Sequence, residues 1–191
     1  MPALQPTYSR ADLDRVLLEE AQIAARVAQL GDEISRRYGD TDVTVVCVLS
    51  GAMIFTADLL RHLRFPTRLD AVRAESYSGA SVSTGAPTMD CLLKTGIANR
   101  HVLAVDDILD TGHTLQTLKR ELLKARPASL ASCVLLDKEA RRQVPVEADF
   151  VGFRIPDAFV VGYGLDFAER YRSLRCIGAL KDAFQNPDAF A

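Results

Sequence analysis

A chain of 191 residues, 48% apolar and 25% charged, is long enough to bury one sizeable core and has the balance of a soluble globular protein. Its formal net charge of −2 gives no overall field for nucleic acid or an anionic membrane, and no apolar stretch approaches the length of a membrane span. The start, MPALQPTYSRADLD, lacks a signal-peptide core, and the four cysteines (Cys47, Cys91, Cys133, Cys176) show no CxxC or Cys/His ligand spacing. These features predict free thiols in a reducing compartment, hence a cytoplasmic protein.

Residues 20–38 carry Ile23, Val27, Leu30 and Ile34 at helical spacing, with acids at the start and Gly39 as a stop. VTVVCVL, 43–49, reads as a strand covered on both faces; Ser50-Gly51-Ala52 makes a turn and 53–63 a helix. A strand is expected over 68–75. The Ser/Gly-rich stretch 77–87 has no periodicity and reads as a mobile loop, followed by a strand over 88–94. Buried strands at 101–106 and 130–136 flank a helix at 112–125 that Pro127 helps to end, and shorter strands follow near 149–153, 159–162 and 175–180. Buried strands alternating with helices predict an α/β fold: a mostly parallel central sheet flanked by helices. Ligands of such sheets bind beyond the carboxyl ends of the strands. Three loops fall at such ends: Ser50–Ala52, Asp106–Thr114 and Asp137–Ala140.

The middle loop is the most informative. LAVDDILDTGHTL places three carboxylates in five residues, Asp106, Asp107 and Asp110, ahead of Thr111-Gly112-His113-Thr114. Backbone N–H groups around Gly112, with a helix N-terminus behind them, make a phosphate cradle to which the Thr111 and Thr114 hydroxyls add donors. Asp106 and Asp107, diverging as strand neighbours, suit either two adjacent hydroxyls, as on a ribose, or a hydrated Mg²⁺. Asp110 suits a base or a stabiliser of positive charge at a sugar carbon. The plainer alternative makes Asp110 a helix cap and the other acids solvated. No P-loop occurs; GYGLDF at 162–167 lacks the last glycine of a dinucleotide fingerprint; GxSxG and HExxH are absent.

VLAVDDILDTGHTL closely resembles the phosphoribosyl-pyrophosphate (PRPP) signature of type I phosphoribosyltransferases. DFVGFRIPDAFVVGYGLDFAERYRSL, 149–174, resembles the hypoxanthine-guanine phosphoribosyltransferases almost position by position, and the likeness reaches back to about residue 15 through QIAARVAQLGDEIS. The resemblance implies a single phosphoribosyltransferase domain with a core about 36–165 and a small hood from about 1–20 and 166–191, and a strand at Arg15–Leu18. It implies that Lys138 hydrogen-bonds the purine 6-oxo group, Phe159 stacks on the base and Val160 offers backbone groups to its edge. It places Ser50, Gly51 and Arg172 at pyrophosphate, and Asp106, Asp107 and Asp166 at Mg²⁺. The ribose phosphate falls to Asp106, Asp107, Asp110, Thr111, Gly112, His113 and Thr114, with Asp110 as the catalytic base. Ser76 and Tyr77 would belong to a mobile lid.

The implied activity is purine salvage: PRPP and hypoxanthine or guanine give the nucleoside monophosphate and pyrophosphate, in a homodimer or homotetramer with no nucleic-acid or membrane partner. Two alternatives stand beside it, a xanthine or mixed 6-oxopurine transferase and a PRPP- or nucleotide-sensing regulator on the same fold. The chain departs from the common family pattern at three places. Asp106 replaces a frequent Glu, His113 a frequent Lys, and Ser50-Gly51-Ala52 a loop that often has Lys or Arg before Gly and contains a non-proline cis peptide, here Leu49–Ser50.

Overall fold

The computed structural model describes residues 8–75, 88–90, 93 and 96–186. The chain divides into two compact units, Arg26–Asp157 and the described parts of Met1–Ala25 with Ala158–Ala191.

The larger unit holds a six-stranded sheet, in order β4-β3-β2-β5-β6-β7. Its strands are β2 (Val43–Leu49), β3 (Thr67–Glu75), β4 (Thr88–Asp90), β5 (His101–Leu109), β6 (Ser129–Asp137) and β7 (Phe150–Arg154). All neighbours run parallel except β3 and β4, so five parallel strands carry one antiparallel edge. The expected mostly parallel sheet is therefore present. VTVVCVL became β2 because its β-branched side chains are buried on both faces of the strand, Val43, Val45 and Val46 completely. The helix α2 (Met53–Leu60) contributes Phe55 and Leu59 to the core, and α3 (His113–Lys124) contributes Leu115, Leu118 and Leu122.

Several element boundaries differ from the sequence reading, three of them near the candidate site or the first helices of the sheet. The α2 helix ends at Leu60 rather than 63, because Arg61, His62 and Leu63 bond three residues back and wind the chain into a tighter turn. The helix α3 begins at His113, with Gly112 as its N-cap. The third difference bears on the site. The expected strand 101–106 continues to Leu109, so Asp106 and Asp107 lie inside β5 and not beyond it. Pairing with β2 stops at Cys47↔Val105, whereas pairing with β6 runs on through Asp106↔Val134, Ile108↔Leu136 and Leu109↔Asp137. One neighbour thus keeps the acids in extended backbone after the other has turned away. Of the expected strand 88–94, Thr88–Asp90 is β4, and several of the residues after it lie outside the described ones.

The smaller unit contains β1 (Leu13–Leu18), β8 (Val160–Val161) and β9 (Ile177–Leu180) in an antiparallel sheet of order β1-β9-β8. Leu13, Val161, Tyr171, Cys176 and Leu180 form its core. The strand expected at Arg15–Leu18 is there, two residues longer at its start. The helix α1 (Glu20–Tyr38) follows, ended by Gly39 at φ 56° with its N–H on Ser35 O. Among the described residues no helix is long and apolar enough to cross a membrane.

Candidate active site

Strands β2, β5 and β6 are neighbours and run the same way, so the loops after their carboxyl ends are brought together. The closeness is measurable. A Cβ placed on Gly51 would lie 1.8 Å from Asp107 Oδ2, so the first loop passes directly against the carboxylate of the second. The Leu49–Ser50 peptide ahead of it is cis. Gly51→Ala is expected to push the Asp107 carboxylate aside and raise the KM for PRPP about tenfold with a smaller change in purine KM, measured by steady-state kinetics.

Asp106 and Asp107 do not diverge as an ideal pleat would have them. Asp107 N–H donates to Asp106 Oδ1 at 3.0 Å and Ile108 N–H to Asp107 Oδ1 at 2.8 Å, which turns each carboxyl group along the chain toward the following residue. Burial, then the neighbouring Asp107 charge and a side-chain hydrogen bond between the two, push the Asp106 pKa well above the usual carboxylate range. A carboxyl with a raised folded-state pKa contributes stability below its ordinary pKa and loses it as pH rises through the folded value. Asp106→Asn is therefore expected to raise the Tm of the unliganded protein at about pH 8, with the gain shrinking toward about pH 4. Equal melting curves at both pH values would refute the coupling.

Asp110 follows β5 and does not cap α3: Gly112, at φ 94°, is the N-cap, and no side chain caps it. The carboxylate instead faces cations. Lys138 Nζ stands 3.9 Å from Oδ2 and Arg141 Nε 3.3 Å from Oδ1. Lys138 is 4% exposed; burial lowers its pKa, while the Asp110 charge opposes that shift. Its backbone N–H reaches Leu109 O at 2.9 Å, which ties the end of β6 to the end of β5.

The turn Thr111–Thr114 is held from behind by a segment that the sequence reading passed over. Arg142 donates from Nη1 to Asp110 O and from Nη2 to Asp137 Oδ1. Gln143 N–H bonds Thr111 O at 2.9 Å, and its Oε1 lies 3.2 Å from His113 Nε2. Val144 and Val146 pack so closely that a Cβ on Gly112 would be 2.7 Å from Val146 Cγ1. RRQVPVE has no periodicity to announce this strap. Its signal is two adjacent arginines just after a buried lysine. The N–H groups at the start of α3, the positive end of its dipole, lie next to this turn.

In the smaller unit, Phe159 is 41% exposed and meets Phe167 edge to face, ring centroids 5.3 Å apart. Val160 follows in β8, paired with Ala179. Arg172 Nη1 pairs with Asp166 Oδ1 at 2.9 Å and also donates to Gly164 O at 2.8 Å. The acid and the cation expected at metal and pyrophosphate are thus paired with each other, and Arg172 Nη2 also pairs with Glu169 Oε2 at 3.0 Å. Ser76 and Tyr77 lie outside the described residues.

A parallel sheet with an acidic strand end and a glycine turn opening a helix is an arrangement suited to a phosphate-bearing ligand. The model of the phosphoribosyl transferase domain family matches residues 16–168. The hypoxanthine-guanine phosphoribosyltransferase of Bacillus subtilis (strain 168) is 44% identical over 173 residues, covering 90% of this chain and 96% of that one. A hypoxanthine-guanine-xanthine phosphoribosyltransferase of Tritrichomonas foetus is 42% identical, covering 90% and 94%. A solved hypoxanthine phosphoribosyltransferase of Staphylococcus aureus superposes with a TM-score of 0.85 at 38% identity, over 95% of this chain and 96% of that one. The chain belongs to the phosphoribosyl transferase domain family and, within it, to the hypoxanthine-guanine phosphoribosyltransferases.

Proposed function

We propose that the protein is a purine-salvage enzyme that transfers the 5-phosphoribosyl group from PRPP to hypoxanthine or guanine, giving IMP or GMP and pyrophosphate. The observation that carries this is the Lys138–Asp110 pair, a buried donor 3.9 Å from a carboxylate acceptor. O6 and N7 are adjacent on a purine edge. A 6-oxopurine protonated at N7 presents an acceptor and a donor there, the complement of lysine and aspartate.

In this reading the Thr111–Thr114 turn, with Gly112 and His113, takes the 5′-phosphate, and Asp106 and Asp107 take the ribose hydroxyls. Ser50, Gly51 and Arg172 receive pyrophosphate; Phe159 stacks on the base and Val160 meets its edge through backbone groups. The C1′–oxygen bond to pyrophosphate breaks as the purine nitrogen bonds C1′ from the opposite face, and Asp110 accepts the N7 proton. Paired acids beside a phosphate turn suit a hard cation that keeps several oxygen ligands from substrate. Asp106, Asp107 and Asp166 are the proposed carboxylate contacts for Mg²⁺, which when bound neutralises charge on the leaving pyrophosphate. We further propose that the enzyme works in the cytoplasm as a single phosphoribosyltransferase domain, assembled as a homodimer or homotetramer.

The test mixes the protein, PRPP and Mg²⁺ with hypoxanthine, guanine, xanthine and adenine in turn. Nucleotide is expected from hypoxanthine and guanine. The absence of turnover with every 6-oxopurine would sink the assignment. Turnover with xanthine would instead extend it to the wider set accepted by the relative from Tritrichomonas foetus.

A further inference from the structure

The geometry points to Arg141 as a positioning residue for Asp110, fixing which carboxylate oxygen is turned toward the purine. This rests on the reading of Asp110 as the acceptor of the N7 proton.

The backbone of Asp110 is already fixed: its carbonyl accepts from Arg142, and the next carbonyl, Thr111 O, accepts from Gln143. Its side chain is not. It caps no helix, and its buried Oδ1 has no hydrogen-bond partner among the described residues. What holds it is charge. Lys138 Nζ lies nearest Oδ2 and Arg141 Nε nearest Oδ1, so two cations grip different oxygens of one carboxylate and oppose rotation about its last bond. The Arg141 contact is 3.3 Å and misaligned for a hydrogen bond, a steering contact more than a clamp.

The local chain explains how Arg141 arrives there. The 3-10 turn Glu139–Arg141 follows Lys138 directly, and Arg141 N–H bonds Lys138 O at 3.2 Å. One short turn therefore delivers both cations. The far end of the guanidinium, Nη1, is 3.9 Å from Asp157 Oδ1, so a second acid holds the side chain in place. An arginine that is 47% exposed would ordinarily be a surface charge of little consequence. Here it is the only cation among the described residues paired with the buried, hydrogen-bond-free oxygen of the proposed base.

A double-mutant cycle tests this. Arg141→Ala is expected to lower kcat about tenfold while leaving the KM for PRPP within about twofold, because orientation of the base and not sugar-phosphate binding is lost. Added to Asp110→Asn, the same change is expected to have no further effect on kcat, since no proton acceptor remains to be oriented. A purely structural role would lower both backgrounds alike. An unaltered Arg141→Ala enzyme, or equal losses in the two backgrounds, overturns the inference while Asp110→Asn stays slow. An Asp110→Asn enzyme as fast as the unaltered protein overturns the base reading itself.

Discussion

Asp110→Asn is expected to lower kcat by about 10²–10⁴-fold, the range that a positioned general base contributes, while the Kd for PRPP changes little. The two oxygens of the native carboxylate face Lys138 and Arg141, and the main-chain groups of the same loop turn are held separately by Arg142 and Gln143. Asparagine keeps the side-chain shape and leaves those main-chain bonds in place, so the phosphate turn should survive. What it removes is the proposed acceptor for the N7 proton and the negative charge proposed to stand beside the forming sugar cation. Asparagine also presents an amide N–H₂ toward a lysine or an arginine, adding a donor where a donor is unwelcome. Titration with PRPP, followed by single-turnover measurement, separates binding from chemistry. Equal losses in Kd and kcat would assign Asp110 to sugar-phosphate binding instead.

The site was legible in the sequence where its parts are contiguous. Asp106 to Thr114 forms one strand end, one turn and one helix start, and its proposed chemistry follows from residue types in a row. The strands β2 and β6 were legible because burial on both faces demands unbroken apolar residues, and Val43–Leu49 matched residue for residue. The end of β5 was hidden because acids interrupt that pattern; only the neighbour β6, paired at Asp106↔Val134, keeps the chain extended there. The strap was hidden for a related reason. Arg142, Gln143, Val144 and Val146 matter through contacts with residues some thirty positions earlier, and such contacts leave no local period. The strap also gives His113 a place. Where the family often has lysine, this chain sets an imidazole against the Gln143 amide, a side chain held by its neighbour.

Replacing Lys138 should change which base is accepted as well as how fast it reacts. Lys138→Gln is expected to lower kcat/KM for hypoxanthine by about 10²-fold, roughly the cost of losing a hydrogen bond to a buried charged group, with the KM for PRPP nearly constant. The loss should be smaller for a 6-aminopurine, because the glutamine amide can turn its oxygen toward an exocyclic N–H₂ that the lysine can only oppose. The ratio of hypoxanthine to adenine turnover therefore narrows. The pH dependence follows from burial. Desolvation holds the Lys138 pKa below that of an ordinary lysine, although Asp110 pulls it back, so the ammonium is lost at a lower pH than usual. Purine kcat/KM should then fall on the alkaline side before ordinary lysines titrate, and Lys138→Gln should abolish that descending limb, since glutamine does not titrate. A limb that persists unchanged in the variant would belong to another group, and Lys138 would then hold the base through shape alone.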